Sequence, residues 1–111
     1  MYGISAVSIL ATNRDNNTKL GSLGCCEAVV AATTQHMNCV EICGLGILAI
    51  SRLATHDLNV HKLSEVGGSE CVTGVLKRYP DDVTVALYGC MAIVYFASVD
   101  CNIQKVLIVF F

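Results

Sequence analysis

The residues that could do chemistry in this sequence are its cysteines and histidines. Cys39 and Cys43 lie four positions apart on a predicted helix, and His36 and Cys71 could come near them in the fold. Thiolates and imidazoles in such a group could hold zinc. Structural zinc sites usually carry paired CxxC-type loops, however, and this sequence has none. The spacing therefore favours thiols that fill an apolar core, and we expect no metal and no other cofactor.

A nucleophilic site is also weakly indicated. Cys25 and Cys26 begin a predicted helix, where the helix dipole could lower a thiol pKa. The simpler interpretation is that small residues are needed after Gly24. The sequence has no glycine-rich phosphate loop, and its carboxylates stand at helix starts, where capping accounts for them. We therefore predict no catalytic role. A thiol-based metal or redox module is kept as an alternative, after the two hypotheses given below.

Composition narrows the class of partner. The chain has 111 residues, a formal net charge of −2 and 54% hydrophobic residues. Because the chain lacks the positive charge that would hold a phosphate backbone, a nucleic-acid partner is disfavoured. The cysteine count is odd, at seven, and the thiols are scattered through apolar runs. This usage indicates reduced, buried thiols in a cytoplasmic protein.

The elements that must position these residues follow an internal repeat of 43 residues. Residues 47–55 read ILAISRLAT, and residues 4–12 read ISAVSILAT. Five columns at this period keep one residue type in all three copies: Gly3/Gly46/Gly89, Ala6/Ala49/Ala92, Ala11/Ala54/Ala97, Asn16/Asn59/Asn102 and Lys19/Lys62/Lys105. A fixed period of this length is the signature of a repeat array.

Each repeat predicts a short, a middle and a long helix. The predicted helices span residues 4–12, 17–23, 25–36, 39–54, 60–66, 69–79 and 83–98. Residues 13–17 and 55–59 are predicted turns, with Asp57 or Asn59 as a cap, and Gly24 and Gly67 end the short helices. Asp81 and Asp82 are predicted to cap the last long helix. Only residues 106–111 could form a strand instead.

These motifs together resemble the armadillo repeat. Residues 17–24 (NTKLGSLG) and 59–67 (NVHKLSEVG) look like its first helix, residues 26–36 and 69–82 like its second helix and following break, and residues 47–55 like its third-helix ending. The resemblance implies an all-α, right-handed α-solenoid of three-helix repeats with period 43. Its parts would be a third helix in 1–12, complete repeats in 13–55 and 56–98, and a first helix in 99–111. HEAT repeats, the nearest rival, usually have two helices.

Armadillo proteins bind extended peptides along a groove of third helices, using a ladder of Asn one turn after Trp. The matching Asn column holds Ile9, Arg52 and Tyr95, and the Trp column holds Ser5, Leu48 and Met91. Since neither column keeps its Asn or Trp at any position, the resemblance implies neither the family's hydrogen bonds to a peptide backbone nor a nuclear-import role. We expect a protein or peptide partner to contact a mixed apolar and aromatic surface instead. The predicted contact residues are Glu41, Leu48, Arg52, Tyr88, Met91 and Tyr95. Packing between repeats is the alternative role for Leu48, Tyr88 and Met91.

Two further expectations concern hydrophobic segments. Residues 83–99 carry no charge, so a small membrane-associated helical protein using 83–99 and 106–111 is the alternative function. Both ends of the chain look cut within a repeat, and terminal repeats normally need polar outer faces. We therefore expect self-association through uncapped ends, or membership of a longer array.

Overall fold

The computed structural model describes residues 2–99, apart from the side chains of Tyr2 and Arg14. This part of the chain is all-α, as predicted, and contains no strand. Its seven helices are α1 (Tyr2–Leu10), α2 (Arg14–Ser22), α3 (Cys25–Gln35), α4 (Val40–Leu53), α5 (Asp57–Glu65), α6 (Gly68–Arg78) and α7 (Val83–Phe96). The first helix predicted in 99–111 and the possible strand at 106–111 lie outside the described residues.

The turn predicted over residues 13–17 covers residues 11–13 instead, and residues 14–17 are helical. Asn13 is the N-cap, and its side-chain oxygen accepts hydrogen bonds from the backbone N–H groups of Asp15 and Asn16. Capping lets the helix begin at Arg14, and Asp15 lies at its positive end.

The turn predicted over residues 55–59 is shorter than expected: it covers residues 54–56, and residues 57–59 are helical. His56 is the N-cap of α5, and its Nδ1 accepts a hydrogen bond from the N–H of Leu58. Asp57 and Asn59, the predicted caps, lie inside α5. The predicted cap at Asp82 is correct, because its Oδ1 accepts a hydrogen bond from the N–H of Val85.

Two glycines separate each short helix from the middle helix. Gly24 has φ 84° and Gly67 has φ 87°, both in the left-handed region that side chains disfavour. Each residue ends one helix and caps the next. These glycines are therefore required by the backbone turn, as the sequence predicted.

Equivalent helices begin and end 43 residues apart: α2 corresponds to α5, α3 to α6 and α4 to α7, while α1 ends 43 residues before α4. The third helices α1, α4 and α7 pack side by side in that order. α3 packs on α4 and α6 packs on α7, and α2 contacts α5. Each set of helices thus buries its apolar face against the neighbouring set.

The repeated Asn and Lys columns connect the two short helices. Asn59, which is fully buried, donates from Nδ2 to the carbonyl of Asn17 at 2.9 Å. Lys62 donates from Nζ to the carbonyl of Gly21 at 3.0 Å. Both bonds run from α5 back to α2, so these columns hold one short helix in register against the preceding one. The third members of the columns, Asn102 and Lys105, lie outside the described residues.

The Gly46/Gly89 column lets the middle and long helices approach closely. A Cβ on Gly46 would collide with the Thr33 side chain, coming 2.9 Å from Cγ2. A Cβ on Gly89 would lie 2.6 Å from Cδ2 of Leu76, which is 43 positions after Thr33. Glycine is therefore required wherever a middle helix crosses a long one.

We predict that Gly46→Ala lowers the free energy of unfolding by about 1–3 kcal/mol, because overpacking strains a close-packed core. Thr33 cannot easily move, since it is fully buried and its Oγ1 donates to the carbonyl of Val29 at 2.8 Å. Gly89→Ala should cost less, because the half-buried end of Leu76 can rotate.

Gly3→Ala is the matched control in the same column. No atom lies within 4 Å of a Cβ at that position, so alanine should raise helix propensity and stabilise by up to about 1 kcal/mol. Chemical denaturation of the three variants measures their free energies of unfolding and so ranks the three effects. Equal effects at Gly3 and Gly46 would contradict the close approach.

Candidate functional site

The thiols singled out in the sequence are used in packing. Cys43 is fully buried, and its Sγ lies 3.5 Å from the carbonyl oxygen of His36 and 3.6 Å from that of Met37. Burial raises the pKa of the Cys43 and Cys71 thiols. Within residues 2–99, no three His, Cys, Asp or Glu side chains are arranged to hold a metal ion.

Cys25 and Cys26, at the start of α3, have thiols with raised pKa values, whereas an activated nucleophile needs a lowered pKa. Burial, followed by the charge of Glu27, raises the pKa of Cys26 to about 11. The same two causes raise the pKa of Cys25. The helix dipole therefore does not produce a reactive thiolate at either position, since desolvation of the charged form outweighs it.

The surface of the third helices contains a groove of about 350 Å³ between α4 and α7. Its lining residues come from α4 between Val40 and Leu48 and from the N-terminal end of α7: Val40, Glu41, Gly44, Leu45, Leu48, Asp82 and Thr84. Gly44 is buried at the bottom, where a Cβ would lie 3.6 Å from Cγ2 of Thr84. The groove therefore exists because a glycine and a threonine, both small, meet where the two helices cross.

Two carboxylates line this otherwise apolar groove. Glu41 is exposed in the first turn of α4, and Asp82 is half-buried at the N-terminus of α7. One Asp82 oxygen caps α7. The groove thus combines an aliphatic wall, from Leu45 and Leu48, with negative charge. Such a surface suits an apolar side chain that has a cationic neighbour.

The structure separates the six predicted contact residues into different surroundings. Glu41 and Leu48 line the groove. Tyr88 and Tyr95 are half-buried and pack against the hydrophobic core. Met91 is 42% exposed, and it lines a different, shallower surface of α7. Asp82 and Thr84 complete the groove.

Arg52 is engaged within the chain. Its Nη1 donates to the carbonyl oxygen of Ser8 at 2.8 Å and to the Ser8 hydroxyl at 2.9 Å. Ser8 is buried in α1. Arg52 therefore joins α4 to α1, and a partner at this position would meet a guanidinium that is already held.

A second groove of about 350 Å³ lies between α1 and α3 and reaches Ile42 of α4. It is lined by Gly3, Ile4, Val7, Ala28, Val29, Ala32, His36 and Ile42. Ile4 is buried, like its counterpart Ile47 in the next repeat, whereas Val7 is half-buried and its counterpart Ile50 is fully buried. The surface around Val7 is therefore more open than the equivalent surface of α4.

None of the helices in residues 2–99 is both long enough and apolar enough to cross a membrane. The uncharged segment 83–99 forms the 14-residue helix α7, which is about 21 Å long at 1.5 Å per residue. The hydrocarbon core of a bilayer is about 30 Å thick. The other segment of the membrane alternative, 106–111, lies outside the described residues.

We predict that Arg52→Ala lowers the free energy of unfolding by about 1 kcal/mol, because the charged donor leaves buried Ser8 without two hydrogen bonds. Amide hydrogen exchange should speed up in α1 more than in α5. Lys77→Ala, at an exposed cation of α6, is the control. Unchanged exchange in α1 would show that the Arg52–Ser8 contact does not hold α1.

We predict that the free energy of unfolding falls between pH 9 and pH 11. Below pH 9, Cys26 is protonated in both the folded and the unfolded chain, so its titration does not change the free energy of unfolding. Above pH 9, the unfolded thiol loses its proton while the folded one keeps it up to about pH 11, which favours unfolding by about 2 kcal/mol.

Cys26→Ser is the matched control for this pH dependence. The equivalent position of the next repeat is Ser69, a buried serine whose hydroxyl lies 3.3 Å from Oε1 of Glu70. The variant should therefore fold and lose part of the alkaline slope. Denaturation in the presence of reductant measures both chains, and identical slopes would contradict the assignment.

No family model, curated protein or solved structure matches this chain. The resemblance to the armadillo repeat therefore stays a prediction.

Proposed function

We propose that this chain is a right-handed armadillo-type α-solenoid that binds a partner protein or extended peptide along its third helices. The proposed role is that of a cytoplasmic scaffold without catalytic activity. The observation that carries the proposal is the groove between α4 and α7, where two third helices leave an apolar concavity with carboxylates beside it.

The 43-residue spacing of equivalent helices supports the solenoid. In a solenoid each repeat contacts only its neighbours, and successive third helices line one continuous surface. α1, α4 and α7 pack in chain order, as this arrangement requires. The period and the three helices per repeat favour the armadillo type over the two-helix HEAT type.

The lining of the groove suggests which partner it takes. Leu45 and Leu48 offer aliphatic surface to an apolar side chain, while Glu41 and Asp82 attract a positive charge beside it. We therefore expect an extended segment with Leu or Ile next to Lys or Arg. Without the Asn ladder, contacts to side chains would supply most of the affinity.

Fluorescence anisotropy with labelled synthetic peptides tests the proposal. One pool carries Leu flanked by Arg, and the matched pool carries Leu flanked by Glu, in otherwise random ten-residue sequences. The Arg pool should bind and the Glu pool should not. If neither pool binds, or if the Glu pool binds equally well, the proposed groove specificity is wrong.

Charge-removing variants locate the binding. Glu41→Gln and Asp82→Asn should each weaken binding of the Arg pool about three- to fivefold, as expected for a partly exposed charge pair worth up to about 1 kcal/mol. Asn still caps a helix, so Asp82→Asn should fold normally. Glu65→Gln, at an exposed carboxylate of α5, is the control and should bind like the wild type.

The second candidate is a small membrane-associated helical protein using 83–99 and 106–111. One observation favours it: α7 exposes Val83, Leu87 and Val94, each more than half accessible. A helix with such a face can lie in the membrane interface without spanning it. Sedimentation with phosphatidylcholine and phosphatidylserine vesicles, compared with Val94→Glu, separates the two candidates.

A further inference from the structure

The outer face of α7 is defined here by Val83, Ala86, Leu87, Cys90 and Val94. All five are exposed, and α7 contains no charged residue. Among residues 2–99 nothing packs over this face, which leaves a shallow apolar surface along the helix.

Most of the equivalent face of α4 is covered. Cys43, Gly44, Ile47 and Ser51 lie 43 positions before Ala86, Leu87, Cys90 and Val94, and all four are buried. Val40, the equivalent of Val83, is 38% exposed. α7 packs against α4, and a Cβ on Gly44 would lie 3.6 Å from Cγ2 of Thr84. The outer face of α7 is therefore one half of an interface that the chain builds earlier within itself.

α1 carries the other half of that interface. Ala6 and Ile9 lie 43 positions before Ala49 and Arg52 of α4. Ala49 is fully buried, and Arg52 is half-buried where it contacts Ser8 of α1. Ala6 is exposed and Ile9 is 67% exposed, and no helix within residues 2–99 packs over this side of α1.

We propose that a second copy of this chain docks head to tail, with its α1 on the outer face of α7. In this joint Ile9 of one copy takes the position of Arg52, and Val94 of the other takes the position of Ser8. The polar Arg52–Ser8 contact between α4 and α1 would thus be replaced by an apolar Ile9–Val94 contact. In the single chain Ile9 and Val94 are each about two-thirds exposed. The two faces are complementary because both are apolar and neither contains a charge.

This contact is heterologous, so each copy keeps one face free for the next copy. Such contacts produce rings or open chains of copies rather than a closed dimer. The assembly would extend the surface of third helices beyond the three of a single chain. It depends on the repeat geometry alone and is independent of whether the groove of α4 and α7 binds a peptide.

Sedimentation velocity of the full chain over a wide concentration range, with Ile9→Lys and Val94→Lys, tests this proposal. The wild type should pass beyond a dimer as concentration rises, and each variant alone should stay monomeric. Both positions are exposed, and circular dichroism checks that the variants fold. Leu23→Glu, at a residue 78% exposed outside both faces, is the control and should associate like the wild type.

Mixing the two variants gives the decisive result. Ile9→Lys keeps an intact α7 face and Val94→Lys keeps an intact α1, and the two lysines would repel each other across the remaining contact, so an equimolar mixture should form a dimer and nothing larger. Dimerisation of Ile9→Lys by itself would indicate a symmetric α7–α7 contact and overturn the proposal. A wild type that stays monomeric, or that associates only with phosphatidylserine-containing vesicles, would overturn it as well.

Discussion

The close crossing of middle and long helices is the contact on which the described structure depends. Gly46 and Gly89 leave no side chain at the two crossings, so Thr33 and Leu76 lie directly against the long helices. This contact sets how α3 lies on α4 and how α6 lies on α7. The groove between α4 and α7 depends in addition on Gly44, which meets Thr84 where those two helices cross.

Polar contacts then fix the register between neighbouring repeats. Asn59 and Lys62 bond to backbone carbonyls of α2, and Arg52 bonds to Ser8 of α1. At the end of α6, the Tyr79 hydroxyl donates to the carbonyl of Met37 at 2.8 Å. An apolar stripe tolerates sliding, whereas a donor aimed at one carbonyl does not. These bonds therefore give specificity to an interface whose area is mainly apolar.

Much of this fold could be predicted from the sequence, because a repeat states the same local information more than once. The glycines at 24 and 67, the cap at Asp82 and the long helices were all readable from residue type and spacing. The turn predicted over residues 13–17 was misplaced because a polar run resembles a turn. In the structure Asn13 accepts hydrogen bonds from the first N–H groups, which lets a helix begin at Arg14.

The candidate site was less predictable, because its geometry depends on how two repeats stack. Arg52 stands where the armadillo ladder has Asn, yet its partner Ser8 lies 44 positions away and is known only from the packing of α1 on α4. Asp82 was recognised as a cap, but nothing local shows that it also lines a groove with Glu41. In both cases the missing information is the register between third helices.

Nuclear Overhauser contacts in solution show whether helices 43 residues apart stack as neighbours. Stacked helices should give contacts between the Thr84 methyl group and the α protons of Gly44, and between the side-chain amide of Asn59 and the Asn17 backbone. Finding both pairs would place α7 on α4 and α5 on α2. A folded, helical chain that lacks both contacts would contradict the stacked repeat and, with it, the groove.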